Sequence, residues 1–226
     1  MDFSLFIPNM VKIWDKYWEV FLLTGLKNTL LLTLISVAMG TLLGTLVAMA
    51  KMSKFKPLQW LTSLYVEIIR GTPILLQLYF FWIFLPKILP VEISDLNCIL
   101  IALIINASAY ISEIIRAGIG AVDKGQWEAA KSIGLSPIHT LTHVILPQAI
   151  KNILPALCNE FISTVKGTSL ASVFFVGELM TQYKTVASIT YLPLQPLVVA
   201  GIIYFVLNFI LSRSVRVLER RLMVSD

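Results

Sequence analysis

Long apolar runs separated by short polar connections form the basic pattern of this chain. Five segments are largely apolar over the roughly 20 residues that a membrane-spanning helix requires. They are residues 20–50, 58–88, 96–118, 146–176 and 194–217. The fourth carries a stripe of polar residues with Pro155 among them, so it is either broken or lines a cavity instead of facing lipid. The pattern predicts an all-α polytopic membrane protein with about five spans.

The composition supports lipid as the solvent of this chain. Of its 226 residues, 57% are hydrophobic and 14% are charged, whereas soluble domains carry roughly 25% charged residues. The net charge of +5 is not arranged as a basic stripe interleaved with aromatic residues, which argues against nucleic-acid binding. Cys98 and Cys158 lie in apolar runs and are interpreted as small hydrophobic residues. The N-terminus lacks a basic region and a cleavage site, so no signal peptide is expected.

The distribution of lysine and arginine predicts the orientation, because these residues concentrate on the cytoplasmic side of a membrane. They cluster in the first connection, the third connection and the C-terminal region: Lys51, Lys54, Lys56, Lys124, Lys131, Lys151, Arg213, Arg216, Arg220 and Arg221. This predicts an external N-terminus and a cytoplasmic C-terminus. Residues 1–19, with Trp14, Tyr17 and Trp18, are expected at the membrane interface. Residues 20–221 then form the transmembrane domain, and 222–226 a tail.

The connection at residues 121–151 contains the residues that typically start and end the helices of a compact helical hairpin. Asp123 is a suitable N-cap for a short helix that runs through Ile133. Gly134 suits the left-handed residue that ends such a helix. Ser136 then caps a second helix with Pro137 at its first position, and Leu146–Pro147 is expected to close the unit. The sequence therefore predicts a helix-turn-helix on the cytoplasmic face.

This connection resembles the signature loop of ABC importer permeases. The residues that carry the resemblance are Glu128-Ala129-Ala130, then Gly134, then Val144-Ile145-Leu146-Pro147. Three further segments are similar to the polar amino acid branch of that family: residues 67–73 (EIIRGTP), 110–118 (YISEIIRAG) and 166–170 (KGTSL). Family members commonly have Asp where Gly167 stands, which removes any charge role at that position. The resemblance covers roughly residues 25–221.

The resemblance implies a type I ABC importer transmembrane fold and a set of partners. In such a complex the loop at 121–151 docks on an ATP-hydrolysing subunit. The implied docking residues are Glu128, Ala129, Ala130, Gly134, Leu135, Leu146 and Pro147, and Trp127 and Leu135 are expected to supply apolar anchors. The implied partners are two ATP-binding subunits, a second permease chain and an extracytoplasmic solute-binding protein, in the inner membrane of a bacterium. The implied substrate is cystine, glutamine, histidine, arginine or glutamate.

Ionisable residues at membrane depth are candidates for function. Glu160 or Lys166, in the polar fourth segment, is predicted to help receive the ammonium or carboxylate of a zwitterionic amino acid. Asn159 and Glu67 are further candidates along the substrate pathway. The alternative is a salt bridge to another helix or to a second permease chain. The pairs Glu67–Arg70 and Glu113–Arg116 are three residues apart and could each neutralise themselves within one helix.

Other features narrow the choice of function. Gly40, Gly44 and Ala48 form a stripe of small residues, interpreted either as packing within the chain or as a subunit contact. His139 and His143 are four apart but have no third ligand nearby, so no metal or other cofactor is expected. No phosphate-binding Gly-x-x-x-x-Gly-Lys-Ser/Thr sequence occurs, so ATP hydrolysis would require another subunit. The alternatives to an ABC importer are a secondary amino acid transporter, a channel and an intramembrane enzyme.

Overall fold

The structure, a computed structural model, describes residues 3–223, and all regular secondary structure among them is helical. Residues 1–2 and 224–226 of the predicted terminal segments lie outside the described residues. The α-helices are α1 (Phe6–Glu19), α2 (Lys27–Lys51), α3 (Lys56–Gly71), α4 (Ile74–Ile88), α5 (Asp95–Gly120), α6 (Lys124–Ser132), α7 (Pro137–His139), α8 (Leu146–Gly167), α9 (Leu179–Thr190) and α10 (Leu194–Met223). The prediction of an all-α protein is confirmed for these residues.

Three helical stretches within the described residues are long and apolar enough to cross a membrane. They are Phe6–Lys51, Asp95–Gly120 and Leu194–Leu222, and the bent pair α3 and α4 becomes a fourth if it is counted as one span. The α8 helix, which covers most of the predicted fourth span, does not qualify by composition because of its polar residues. The count of five spans and the orientation of the termini therefore stay predictions.

The first predicted span begins earlier than expected. A π-helical turn, Val20–Leu26, joins α1 to α2, so that one helical stretch of 46 residues runs from Phe6 to Lys51. No break separates residues 6–19 from the first span. Whether this segment lies at the membrane interface stays a prediction.

The second predicted span is not one helix but two. α3 ends at Gly71, and Thr72 has an extended backbone, with φ −117° and ψ 147°. That conformation follows from Pro73, because proline disfavours a helical conformation at the residue before it. Pro73 then precedes α4 and has no N–H of its own that would need a partner at the break.

The chain folds into two compact units. The first unit contains the chain up to Ser36, Pro73–Leu103 and Ile162–Leu211, and the second contains Val37–Thr72, Ile104–Phe161 and the chain from Ser212. The core of the first unit has two clusters. One is formed by Ile13, Phe21, Leu179, Val186, Val199, Ala200 and Ile203, and the other by Leu78, Ile99, Ala102, Leu103, Ala171 and Phe174.

The second unit is held together by close contact between α2 and α5. A Cβ atom placed on Gly40 would lie 2.8 Å from the Cβ of Ala107, and one on Gly44 would lie 2.8 Å from the carbonyl oxygen of Ser108. Ala48, one turn further along, is 1% exposed. The stripe of small residues therefore packs within the chain, which is the first of the two interpretations offered by the sequence.

The contact between α2 and α5 should be sensitive to a single methyl group at Gly44. We expect Gly44→Ala to lower the free energy of unfolding by about 1–3 kcal/mol, because the added Cβ meets backbone that must shift. Gly201→Ala is the matched control, since a Cβ there has open space. Thermal unfolding in detergent can be followed by the loss of the helical circular dichroism signal, because the described residues are largely helical. Equal melting temperatures for the two variants would contradict the packing role of Gly44.

Candidate functional site

The hairpin at residues 123–146 begins with two side-chain caps. The Asp123 carboxylate accepts a hydrogen bond from the backbone N–H of Gly125 at 2.6 Å, at the start of α6. The Ser136 hydroxyl accepts one from the backbone N–H of His139 at 3.4 Å, and Pro137 occupies the first turn of α7. Both predicted caps are confirmed. They satisfy N–H groups that a short helix leaves without partners at its start.

The turn between these helices is a Schellman motif centred on Gly134. Gly134 has φ +80°, the left-handed region that glycine adopts without strain. Its N–H donates to the carbonyl of Lys131 at 3.0 Å, and the N–H of Leu135 donates to the carbonyl of Ala130 at 3.1 Å. This pair of hydrogen bonds defines the motif and ends α6 cleanly. The prediction that Gly134 is the left-handed residue that ends α6 is confirmed.

The expected closure of the hairpin at Leu146–Pro147 is wrong. The chain stays helical from Pro137 through Gly167, because a π-helical turn, Thr140–Ile145, joins α7 directly to α8. Pro147 lies in the first turn of α8 and does not break it. A proline inside a helix clashes with the carbonyl four residues earlier, and the wider π-helical turn directly before Pro147 accommodates that clash. The hairpin is thereby continuous with a long helix.

The predicted docking residues differ in exposure. Glu128, Ala129, Gly134, Leu146 and Pro147 are exposed, and Leu135 is half-buried. Ala130 is 3% exposed, so its methyl group supports the hairpin from inside. Trp127, expected to be an apolar anchor for a partner, packs instead against the hydrophobic cluster beneath the hairpin.

Two isoleucines that sequence reasoning did not single out form the exposed apolar surface of the hairpin. Ile133 is 77% exposed and Ile138 is 62% exposed, on either side of the turn at Gly134. Their position next to the predicted glycine was the available signal. Exposed apolar residues on a rigid turn are typical of a binding surface for another protein.

A hydrophobic cluster joins the hairpin to two helices of the same unit. Its buried members are Val122, Ile145, Ala149 and Ile153, and Ile114, Ile115, Ile119, Trp127, Leu141, Val144 and Leu157 pack against them. Gly118 of α5 lies so close to Ile153 of α8 that a Cβ on the glycine would overlap that side chain. The hairpin is thus fixed to the C-terminal part of α5 and to the start of α8.

A cavity of about 670 Å³ opens in this second unit between α3, α5 and α8. Its polar and charged lining residues are Arg70, Tyr110, Glu113, Arg116, Asn152 and Glu160. The Arg70 guanidinium lies over the ring of Tyr110, 5.4 Å from its centroid. Arg70 is also close enough to Glu160 for a favourable charge interaction. The cavity therefore presents cationic, anionic and aromatic groups together.

Glu113 is the centre of the charge arrangement at one edge of this cavity. Its carboxylate lies 2.7 Å from the Lys51 ammonium, 2.9 Å from the Arg116 guanidinium and 3.7 Å from the Arg70 guanidinium. The predicted pair Glu113–Arg116 is confirmed. The other predicted pair, Glu67–Arg70, does not form. Arg70 pairs with Glu113 instead, and Glu67 is exposed.

Three of the four predicted substrate residues lie in the second unit, where only Glu160 lines the cavity. Glu160 lines the cavity and is half-buried, whereas Asn159 and Glu67 are exposed and lie outside its lining. Lys166 is exposed and belongs to the first unit. Arg70 and Tyr110 line the cavity beside Glu160 and were missed as substrate residues. The signal for them was that both belong to the segments at 67–73 and 110–118 that carry the family resemblance.

Glu178 is a buried charge that sequence reasoning did not consider. It is 0% exposed and caps α9: its carboxylate accepts hydrogen bonds from the backbone N–H groups of Met180 and Thr181, each at 2.7 Å. The hydroxyl of Thr181 donates to it at 2.9 Å, and that of Tyr204 at 3.3 Å. With four donors, Glu178 is satisfied as a structural cap of the first unit.

The two histidines of the hairpin lie side by side on its exposed surface. The rings of His139 and His143 stack with centroids 5.5 Å apart. Their Nδ1 atoms are hydrogen-bonded to the hydroxyls of Ser136 and Thr142, at 2.7 and 2.8 Å. Across residues 3–223, no group of three or more potential metal ligands of the His, Cys, Asp and Glu types is present.

The chain belongs to the family of binding-protein-dependent transport system inner membrane components, whose pattern matches residues 40–224. It is 38% identical to the arginine transport system permease protein ArtQ of Bacillus subtilis, over all of this chain and 99% of that protein. It is 41% identical to the L-cystine transport system permease protein TcyB of the same organism, over 92% of this chain and 91% of that protein.

Solved structures agree with this assignment. The crystal structure of an amino acid ABC transporter with histidines superimposes with a TM-score of 0.86 at 42% identity, over 92% of this chain and 96% of that one. An inward-facing structure of the MetNI methionine ABC transporter has a TM-score of 0.70 at 22% identity, over 86% and 94% of the two chains, which shows a shared fold. The chain therefore has the fold of an ABC importer permease.

The Schellman turn of the hairpin should depend on the backbone freedom of Gly134. We expect Gly134→Ala to destabilise the turn by about 1–2 kcal/mol, because an L-residue is strained at positive φ. Hydrogen–deuterium exchange should then become faster for the amides of residues 133–139. Gly120→Ala is the control, since a Cβ there also has open space and the residue is outside the left-handed region. Unchanged exchange in Gly134→Ala would show that the turn does not need a glycine.

Proposed function

We propose that this chain is the membrane-spanning permease subunit of an ABC importer that moves a polar amino acid into a bacterial cytoplasm. The proposed topology has five crossings, with the N-terminus outside and the C-terminus in the cytoplasm. The proposed complex contains two ATP-binding subunits, a second permease chain and an extracytoplasmic solute-binding protein. ATP binding would draw the hairpins together and switch the helices between inward-open and outward-open states.

The single observation that carries this proposal is the continuity of the hairpin with the cavity. The hairpin exposes Ile133 and Ile138 at its tip, and its base is packed onto α5 and α8. Those two helices also supply most of the residues that line the cavity. A force applied at the hairpin would therefore act directly on the cavity walls. A rigid element between a binding surface and a cavity is what alternating access driven by a partner requires.

The sequence and its relatives both support a separate ATPase subunit as the source of energy. The sequence has no phosphate-binding loop of the Gly-x-x-x-x-Gly-Lys-Ser/Thr type. Relatives over nearly the whole length are permease proteins of transport systems. We therefore assign ATP hydrolysis to a partner, with the hairpin as the surface on which that partner docks. Glu128, Ala129, Gly134, Leu135, Leu146 and Pro147 would contribute to that surface, with Ala130 supporting it from inside.

The charge of the cavity supports a zwitterionic substrate. Two arginines, Arg70 and Arg116, and two glutamates, Glu113 and Glu160, line it, so the formal charges balance. Glu160 would receive the ammonium group of an amino acid, and Arg70 would receive the carboxylate. Relatives named for arginine, glutamine and cystine transport indicate the class of polar amino acids. Lys166, Asn159 and Glu67 remain candidates for the pathway outside this cavity.

The proposal predicts that uptake depends on ATP. The chain would be reconstituted into liposomes with its ATP-binding subunits, its companion permease and the solute-binding protein. Uptake of the amino acid that the binding protein recognises should require internal ATP and should stop with orthovanadate. Ile133→Glu should abolish both co-purification of the ATP-binding subunits and uptake, because it places a charge on the apolar tip. Val91→Glu is the control, since Val91 is 65% exposed in the loop before α5.

A secondary transporter or a channel would give the opposite result. Uptake that continues with vanadate, and that responds to an ion gradient, would overturn the proposal. Unchanged co-purification in Ile133→Glu would overturn the docking role of the hairpin tip.

Glu160→Gln tests the substrate role of the cavity. We expect uptake to fall about tenfold or more, the size of effect that follows when one partner of a charge-assisted contact worth roughly 1.5–3 kcal/mol is removed. ATP hydrolysis without substrate should stay close to that of the wild type. Glu92→Gln, in the exposed loop before α5, is the matched control. Wild-type uptake in Glu160→Gln would remove this residue from the substrate pathway.

A further inference from the structure

An ionic cluster of Glu113 with Lys51, Arg70 and Arg116, here called the Glu113 cluster, connects the ends of three helices in the second unit. Lys51 is the last residue of α2, Arg70 is the penultimate residue of α3, and Glu113 and Arg116 lie in the last third of α5. The three cations approach one carboxylate at 2.7, 3.7 and 2.9 Å. Sequence separations of 62 and 43 residues from Glu113 to Lys51 and Arg70 mean that these contacts are tertiary, unlike the local pair with Arg116.

The cluster is partly shielded from water, so its ion pairs contribute to the stability of the fold. The side chain of Glu113 is 17% exposed and that of Lys51 is 18% exposed, whereas Arg70 and Arg116 are 44% and 47% exposed. Exposed ion pairs contribute little because water screens them, but a shielded carboxylate that loses its partner is left poorly solvated. The contact between Glu113 and Lys51 is therefore the more important of the two tertiary links.

The same stretch of α5 is fixed to the docking hairpin on its other side. Ile114 and Ile115, directly after Glu113, pack against the cluster that includes Trp127 and Leu141 of the hairpin. Gly118, one turn further, is in close contact with Ile153 of α8. The C-terminal part of α5 thus has an apolar contact with the hairpin and an ionic contact with the ends of α2 and α3.

We propose that Glu113 is a positioning residue for transport, whose carboxylate ties the ends of α2 and α3 to α5 so that movement imposed on the hairpin reaches all three helices. The inference rests on the proposed function. When the hairpin moves, α5 follows through its apolar packing, and α2 and α3 follow through the ionic link. Without that link, the ATP-driven movement of the hairpin would be transmitted to α5 and α8 but less effectively to the cavity wall formed by α3.

The experiment measures the amount of amino acid transported per ATP hydrolysed in proteoliposomes that hold the full complex. We expect Glu113→Gln to lower this ratio about fivefold or more, the size typical of coupling between sites. Glu113→Asp keeps the charge on a shorter side chain and should recover part of the ratio. Glu92→Gln, the same chemical change at an exposed loop, should leave it unchanged.

A second pair of variants tests the positioning role of Glu113 if the complex with Glu113→Gln does not assemble. Lys51→Gln removes the 2.7 Å contact but leaves Glu113 with its two arginines, and it should lower the ratio. Lys54→Gln is the matched control, because this exposed lysine lies in the same connection three residues away. A purely stabilising role would reduce transport and ATP hydrolysis in proportion to the amount of assembled complex, and the ratio would not move.

The outcomes separate this inference from the proposed function. If the wild-type complex shows no ATP-dependent uptake, the proposed function fails. If wild-type uptake is ATP-dependent and the ratio is unchanged in both Glu113→Gln and Lys51→Gln, or in Lys51→Gln alone where the first variant does not assemble, the positioning role of Glu113 is overturned. If Lys54→Gln lowers the ratio as much as Lys51→Gln, the effect belongs to the charge of the connection and the specific link is again overturned.

Discussion

Each interruption of a helix in this protein frees backbone N–H and C=O groups, and a buried group of this kind is costly unless it has a hydrogen-bond partner. Three interruptions meet this constraint in different ways. Pro73 brings no N–H to the break before α4. Gly134 allows the two hydrogen bonds of a Schellman turn, and Glu178 accepts the first N–H groups of α9. The direction of the chain is therefore defined at each break, and the hairpin at residues 123–146 is built on one of them.

Close packing around glycine joins the helices of the second unit to one another. Gly40 and Gly44 bring α2 against α5, and Gly118 brings α5 against α8. A packed interior has few voids and transmits displacement instead of absorbing it. The hairpin belongs to the same unit and is continuous with α8 through a π-helical turn. The hairpin is therefore in direct contact with the helices that line the cavity.

The charged residues near the cavity differ in how strongly their ion-pair partners hold them. Glu113 is held by three cations and is the least available of the lining groups for a ligand. Arg70 is shared: it contacts Glu113, lies over Tyr110 and interacts with Glu160. An arginine with several weak partners can exchange one of them for a substrate carboxylate at small cost, whereas Glu113 cannot leave its cations without a large penalty. This difference separates a residue suited to binding from one suited to positioning.

Features that depend on local chemistry could be predicted from the order of residues alone, whereas the meeting of charges could not. Asp123, Gly134 and Ser136 were assigned to their caps correctly, because caps are set by residue type within a few positions. The π-helical turn that keeps Pro147 inside a continuous helix is a property of the folded backbone. Arg70 could satisfy the spacing rule with Glu67, yet it contacts Glu113, 43 residues away. That choice depends on how α3 packs against α5, which involves many weak contacts at once, and the same packing places Arg70 beside the other groups of the cavity.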